Sequence, residues 1–130
     1  MNAAAAPLLV AEEVVAGYRA SLPIVHGASL RVALGEVLVV LGPNGAGKST
    51  LVKSLAGTCP RFGGRVRLAG TDVGGLAAHQ LAAAGIGFVP QNANIFTTLS
   101  IEENLRAGGH LLERALLRRR LDEAWARFPD

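Results

Sequence analysis

The segment that most constrains the fold is an aliphatic run, residues 37–41, followed directly by the glycine-rich segment 42–47. A continuous run of Val and Leu is typical of a β-strand that is covered on both faces. Beyond the glycines, Leu51 and Leu55 stand four residues apart, which predicts a helix that Gly57 ends. A buried strand, a loop and a helix in this order predict an α/β layer architecture.

Shorter periodic segments complete the predicted secondary structure. Apolar or alternating stretches predict further strands at 8–15, 29–34, 65–68 and 86–89, with a loop at 60–64 and a turn at 70–75. Apolar stripes at helical spacing predict helices at 77–84, 101–107 and 111–128. Because no helix separates the early strands, we expect them to form an antiparallel side sheet, beside an incomplete parallel core sheet.

Composition excludes several classes of protein. Half of the 130 residues are hydrophobic and 18% are charged, which is not the composition of a disordered chain. A membrane-spanning helix needs about 20 apolar residues, and the N-terminus lacks the basic region of a secretory signal, so we expect neither feature. The net charge of +3 is small, and we expect no nucleic-acid partner. Cys59 is the only cysteine, which excludes an intrachain disulfide and fits a reducing compartment.

The glycine-rich segment matches the phosphate-loop pattern G-x-x-x-x-G-K-[ST], with the buried strand before it and the amphipathic helix after it that the pattern requires. A turn that fits this pattern by chance is the alternative, and the agreement of both flanks disfavours it. The residues expected to bind nucleotide are Gly42, Pro43, Asn44, Gly45, Ala46, Gly47, Lys48, Ser49 and Thr50.

Elementary chemistry explains why these residue types suit a triphosphate. Consecutive backbone amides can surround a phosphate, and the curl that this needs has positive φ angles, which Gly45 and Gly47 adopt without strain. The helix that begins near Lys48 adds the positive end of its dipole, and the ammonium adds a point charge at the β- and γ-phosphates. The hydroxyl of Ser49 is a suitable ligand for Mg²⁺, which prefers oxygen. The loop therefore predicts a nucleotide and Mg²⁺, without separating kinases, GTPases and transport ATPases.

The amino-acid sequence of the loop resembles the Walker A motif of the ATP-binding-cassette (ABC) transporter ATPases. Two further residues match that family's pattern, and the resemblance implies a role for each. Tyr18 precedes the loop by about two dozen residues. In the family, an aromatic ring at this place stacks on adenine, and the resemblance implies the same role for Tyr18. Gln91 ends the sequence Phe-Val-Pro-Gln, the family's Q-loop, where the amide ligates Mg²⁺ or holds the attacking water and the following segment contacts a membrane partner. The nucleotide is then ATP, and the metal ligands in this chain are Ser49 and Gln91.

Segment 94–105 resembles the part of the family that leads into its helical subdomain. Segments 106–109 and 123–129 are similar to the ATPase subunits of importers for branched-chain amino acids, urea and short amides. The resemblance implies ATP hydrolysis that energises import through membrane permease subunits, together with a second ABC ATPase subunit. It also implies a cytoplasmic protein that is peripheral on the inner face of the cell membrane. Residues 1–99 would form the nucleotide-binding core and residues 100–130 the start of the helical subdomain.

Three motifs that complete the family's catalytic site do not occur in this sequence: the Leu-Ser-Gly-Gly-Gln signature, the Asp-Glu end of Walker B and the switch histidine. Asp122 and Glu123 imitate the second motif, but three arginines, 118–120, precede them and exclude a buried strand. We expect a solvated helix face with ion pairs to Arg118 and Arg119. No catalytic set is complete, and the chain looks like the first half of a catalytic domain.

Three alternatives follow from this reading. The chain itself could be a non-enzymatic nucleotide-binding fragment, which a phosphate-release assay distinguishes from an ATPase. It could belong to an ABC ATPase for another substrate. It could also be a kinase or a GTPase, although a GTPase needs a guanine-reading Asn-Lys-x-Asp segment, and the sequence contains none.

The helix expected at residue 101 has a sequence signal at its start. Ser100 is followed three residues later by Glu103, which is the spacing of a capping box. The serine hydroxyl would accept a hydrogen bond from a free amide of the first turn, and the carboxylate would reach back to the amide of the serine.

Overall fold

The computed structural model describes residues 7–92 and 94–129, in two compact units that divide between Phe88 and Val89. The first unit contains β1 Pro7–Ala16, β2 Val25–Ala33, α1 Lys48–Leu55, β3 Arg61–Leu68, β4 Thr71–Asp72 and α2 Ala78–Ala83. The second contains α3 Ile101–Gly108 and α4 Arg114–Arg127. Within the described residues, none of the helices has the length and hydropathy needed to cross a membrane.

The strands form one four-stranded antiparallel sheet in the order β2-β1-β3-β4. Ala11 on the central strand pairs with Leu30 of β2 on one side and with Val66 of β3 on the other. Alternation along each strand turns such residues to one face, where Ala11 and Val66 are buried. The antiparallel side sheet predicted from the sequence is confirmed, and the fold is mixed α/β.

The core of the first unit lies between this sheet face and the two helices. Helix α1 contributes Leu51 and Leu55, and α2 contributes the fully buried Leu81. Burying one such side chain stabilises a fold by about 1.5–3 kcal/mol. The sheet contributes Ala11, Val14, Ala16, Val25 and Val66 to the same cluster. This packing fixes the position of α1, and therefore of the loop that precedes it.

The prediction of two parallel core strands at 37–41 and 86–89 is wrong, because neither segment forms a strand. Val37 and Leu41 are 87% and 86% exposed, not covered on both faces. The physical reason is that a parallel strand needs backbone partners on neighbouring strands, and each strand pair found among the described residues is antiparallel. Segment 37–41 is left as an exposed aliphatic segment.

Three boundaries also differ from the predictions. The loop predicted at 60–64 belongs to β3, where Arg61 pairs with Ala16 and Gly63 pairs with Val15 across an irregular register. The turn predicted at 70–75 contains the short strand β4. Helix α4 begins at Arg114, three residues later than predicted. Glycines 63 and 64 suggested a loop, but pairing with the neighbouring strand outweighs local propensity.

The capping box of α3 is confirmed. The hydroxyl of Ser100 accepts a hydrogen bond from Glu103 N at 3.3 Å, and the Glu103 carboxylate accepts one from Ser100 N at 2.8 Å. The side chain of Asn104 adds bonds to the preceding segment, accepting from Phe96 N at 2.7 Å and donating to Phe96 O at 3.0 Å. These contacts set the point at which α3 begins.

The acidic pair on α4 lies on an exposed helix, as predicted. Glu123 pairs with Arg119 at 2.9 Å and also with Arg120 at 2.8 Å. The pair expected between Asp122 and Arg118 is not found in the described part of the chain. Leu121 is the buried residue of this helix.

The capping box predicts a pH dependence. Hydrogen bonds from the Ser100 hydroxyl and amide lower the pKa of Glu103. A carboxylate whose pKa is lower in the folded state adds stability above its unfolded pKa, and that stability is lost as the pH falls through the folded value. We expect acidification to loosen the first turn of α3. NMR titration of the Glu103 carboxyl carbon should give a pKa below the ordinary glutamate value.

Substitution of Ser100 tests whether the capping box is what lowers the pKa of Glu103. In Ser100→Ala the pKa of Glu103 should rise toward its ordinary value, because the hydroxyl donor is removed. Thr97→Ala removes an exposed hydroxyl outside the cap and should leave that pKa unchanged. An unchanged Glu103 pKa in Ser100→Ala would contradict the prediction.

Candidate phosphate-binding site

The glycine-rich loop has the left-handed backbone that its sequence predicted. Gly45 has φ 84° and Gly47 has φ 85°, in the region that disfavours residues with a Cβ. Between them, Ala46 N donates to Pro43 O at 3.3 Å, which closes a turn. The loop thus curls back on itself directly before α1.

The N-terminus of α1 is open to an anion. Gly47 is its N-cap residue and has no side chain to cap the helix, and the first helical bond runs from Leu51 N to Gly47 O at 2.8 Å. The amides of residues 48–50 therefore have no acceptor within the helix. The first turn also carries no acidic residue. Free amides and the positive end of the helix dipole both favour a bound phosphate here.

Lys48 places its ammonium group at the start of the loop. Its Nζ donates to Gly42 O and to Pro43 O, each at 2.6 Å. The side chain therefore folds back over the loop instead of extending into solvent. Lys48 is also the first residue of α1. Its positive charge therefore belongs to the same helical turn as the free amides.

Ser49 and Thr50 follow on the first turn and differ in accessibility. Ser49 is exposed, and its hydroxyl is a chemically suitable ligand for Mg²⁺ beside a bound phosphate. Thr50 is only 6% exposed, so its side chain packs in the fold. The residues described include no cluster of three or more acidic, histidine or cysteine side chains that could hold a metal.

Tyr18 lies in the connection between β1 and β2 and is 62% exposed. The connection closes at its base, where Ile24 N donates to Ala16 O at 2.8 Å. A Cβ on Gly17 would lie 3.0 Å from Ile24 N, so the two ends of the connection are in close contact. A Cβ on Gly47 would lie 3.3 Å from Ile24 O, so the same base touches the phosphate loop. Tyr18 is the residue that follows Gly17 in this connection.

The other predicted site residues are exposed. Pro43, Asn44 and Ala46 form the outside of the loop in the first unit. Gln91 is exposed in the second unit, where it lies just after the unit begins. Its role toward the metal stays a prediction.

Two apolar residues beside the loop, Ile24 and Val25, were not indicated by any sequence pattern. Ile24, Val25 and Val40 line a cavity of about 290 Å³ together with Ala46 and Lys48. The residues before β2 carry no motif. They contact the loop only because folding brings these distant segments of the chain together. The structure alone reveals them.

Comparison with known proteins gives one family. The family model described as "ABC transporter" matches residues 25–129. A probable branched-chain amino acid transport ATP-binding protein, LivF of Archaeoglobus fulgidus, is 35% identical over 115 residues, which are 88% of this chain and 48% of that protein. The lipopolysaccharide export system ATP-binding protein LptB of Escherichia coli is 43% identical over 84 residues, which are 65% of this chain and 35% of that protein.

Solved structures agree with this assignment. A bacterial Atm1-family ABC exporter, solved with ATP bound, superposes with a TM-score of 0.65 at 34% identity, over 82% of this chain and 19% of that chain. The chain spans about half the length, or less, of the curated relatives that it matches.

Proposed function

The chain belongs to the ABC transporter family, and we propose that its phosphate loop binds Mg²⁺ and ATP. The observation that carries the proposal is the convergence of three features at one point. The left-handed glycines curl the loop, the first amides of α1 have no acceptor within the helix, and the Lys48 ammonium lies over the loop. Each is a known means of stabilising a phosphate.

We assign the remaining contacts to three side chains. Ser49 supplies a hydroxyl oxygen to Mg²⁺, and the exposed position of that residue supports this role. Tyr18 supplies an aromatic face to adenine, which its exposure supports. Gln91 supplies an amide oxygen to the metal and transmits nucleotide binding to a membrane partner. Only the first two lie in the same unit as the loop.

For the whole protein we propose ATP hydrolysis that energises import of branched-chain amino acids or similar small amides. The match to LivF supports this because it extends over 88% of the chain, against 65% for the match to LptB. The partners would be a second ABC ATPase subunit and membrane permease subunits, at the inner face of the cell membrane. Export of another solute is the competing assignment, since the LptB match has the higher identity.

For these 130 residues themselves we propose binding without turnover. Hydrolysis needs a positioned water and charge stabilisation on both sides of the γ-phosphate. The one Leu-Asp-Glu sequence lies on α4, where Glu123 is paired with Arg119 and Arg120. That carboxylate belongs to an exposed helix face and is not available to activate water.

Removal of the loop ammonium tests the binding proposal. Lys48→Ala should reduce affinity for Mg·ATP by about tenfold to hundredfold or more, because a hydrogen bond to a charged group is worth about 1.5–3 kcal/mol. Isothermal titration calorimetry on the chain measures the change. Lys53→Ala is the matched control, since Lys53 is the only other lysine and lies in the last turn of the same helix. Equal affinities in the two variants would refute the site.

The adenine contact is tested separately. Tyr18→Ala should weaken ATP binding by about 1–3 kcal/mol, the value of one base stacked on an aromatic ring. Tyr18→Phe should retain binding because it keeps the ring. Inorganic triphosphate has no base, so its affinity should not change in either variant. A loss of triphosphate affinity in Tyr18→Ala would show that the residue acts on the loop and not on adenine.

A further inference from the structure

The end of α1 opposite the phosphate loop is held by a side chain of the sheet, Arg61, which the phosphate-binding proposal does not use. Arg61 is the first residue of β3 and is partly buried. Its Nη1 donates to Ser54 O, in the last turn of α1, at 2.8 Å. Its Nη2 donates to Gly74 O, in the connection between β4 and α2. One guanidinium group therefore joins helix α1 to the sheet and to the connection before α2.

The carbonyl of Ser54 needs such a donor. The last four carbonyls of a helix have no donor within the helix, and Ser54 is fully buried, so its carbonyl is shielded from water. The backbone supplies Gly57 N at 3.3 Å. A carbonyl oxygen has two lone pairs, so Arg61 completes its hydrogen bonding. A cation at this end of α1 also opposes the negative end of the helix dipole.

The guanidinium group is partly removed from water to make these bonds. Burial lowers the pKa of Arg61, and the nearby Asp72 carboxylate acts in the opposite direction. Asp72 also accepts a hydrogen bond from Gly74 N at 2.8 Å, so it fixes the connection whose carbonyl Arg61 contacts. The cost of burying the charge is offset by this carboxylate and by the two carbonyls. The side chain is therefore part of a connected polar network and not a freely moving surface charge.

Arg61 restrains a motion of α1 that the hydrophobic core leaves open. Leu51 and Leu55 pack α1 against the sheet, but apolar contacts are non-directional and allow a helix to slide or turn. Directional hydrogen bonds at one end fix the axial position and the rotation of the helix. Helix α1 has eight residues and is about 12 Å long, so a shift at its C-terminal end is transmitted to Lys48 at the other end.

We propose that Arg61 is a positioning residue for nucleotide binding. It holds the C-terminal end of α1 so that the free amides at the other end stay aligned with the phosphates of ATP. Arg61 does not contact the nucleotide in this arrangement, since it lies at the opposite end of the helix. The proposal rests on the proposed function of the phosphate loop. Because coupling between two sites is reciprocal, bound ATP stabilises the Arg61 contacts in return.

Calorimetric titration of the chain with Mg·ATP tests the role of Arg61. Arg61→Ala should lower the affinity at least about fivefold, the lower end of the range for coupling between separate sites. Arg61→Lys keeps the charge but loses the planar fork that reaches both carbonyls, so its affinity should lie between those of Arg61→Ala and the unsubstituted chain. Arg67→Ala is the matched control, because Arg67 lies on the same strand and its guanidinium pairs with Glu12 of β1 instead of with α1. The control should leave the affinity unchanged.

Amide NMR signals separate positioning from a general contribution to stability. Without nucleotide, the amide signals of residues 48–50 should shift in Arg61→Ala, shift less in Arg61→Lys and keep their positions in Arg67→Ala. An arginine that only stabilises the fold would leave these signals in place as long as the protein is folded. Circular dichroism establishes folding, and should Arg61→Ala not fold, Arg61→Lys decides by the same signals.

The outcomes distinguish the role of Arg61 from the function of the loop. Unshifted amide signals, or equal affinities for Mg·ATP in folded Arg61→Ala and Arg67→Ala, would overturn the proposal. If the unsubstituted chain binds Mg·ATP and Arg61→Ala binds it equally well, only the role of Arg61 is refuted. If the unsubstituted chain does not bind Mg·ATP, the proposed function itself is refuted, and the role of Arg61 with it.

Discussion

The interaction on which the proposed function depends is the attraction between a phosphate group and the unpaired amides at the start of α1. Those amides are effective only if the helix is held in place and the loop before it stays open. Leu51 and Leu55 hold the helix against the sheet, and the left-handed Gly45 and Gly47 hold the loop. The hydrophobic core of the first unit therefore supports a polar site at its edge. Helix α1 takes part both in the core packing and in the proposed phosphate binding.

Much of this could be predicted from the sequence because the signals are local. The curl of the loop follows from glycines at fixed spacing, and the capping box follows from Ser100 and Glu103 three residues apart. The β1–β2 pair of the side sheet follows from two strands with no helix between them. These features are decided by residues close together in the chain, so the structure agrees with the prediction.

The failures concern contacts between distant segments. Residues 37–41 and 86–89 have the composition of buried strands, yet a parallel strand forms only when partners lie on either side of it. No pattern within five residues shows whether such partners exist. The same limit applies to the apolar residues beside the loop: Ile24 and Val25 carry no motif and become neighbours of Lys48 only through folding. The roles of Tyr18 and Gln91 rest on resemblance to a family and stay predictions.

The central claim is that the chain holds ATP by its phosphates, through the amides of α1 and the ammonium of Lys48. Calorimetric titration of the chain with Mg·ATP and, in parallel, with AMP tests it most directly. AMP keeps the adenine and one phosphate but lacks the β- and γ-phosphates that the loop is proposed to surround. The account predicts measurable binding of ATP and at least about a hundredfold weaker binding of AMP, since two or more charged hydrogen bonds are lost. Equal affinities, or no uptake of ATP, would contradict it.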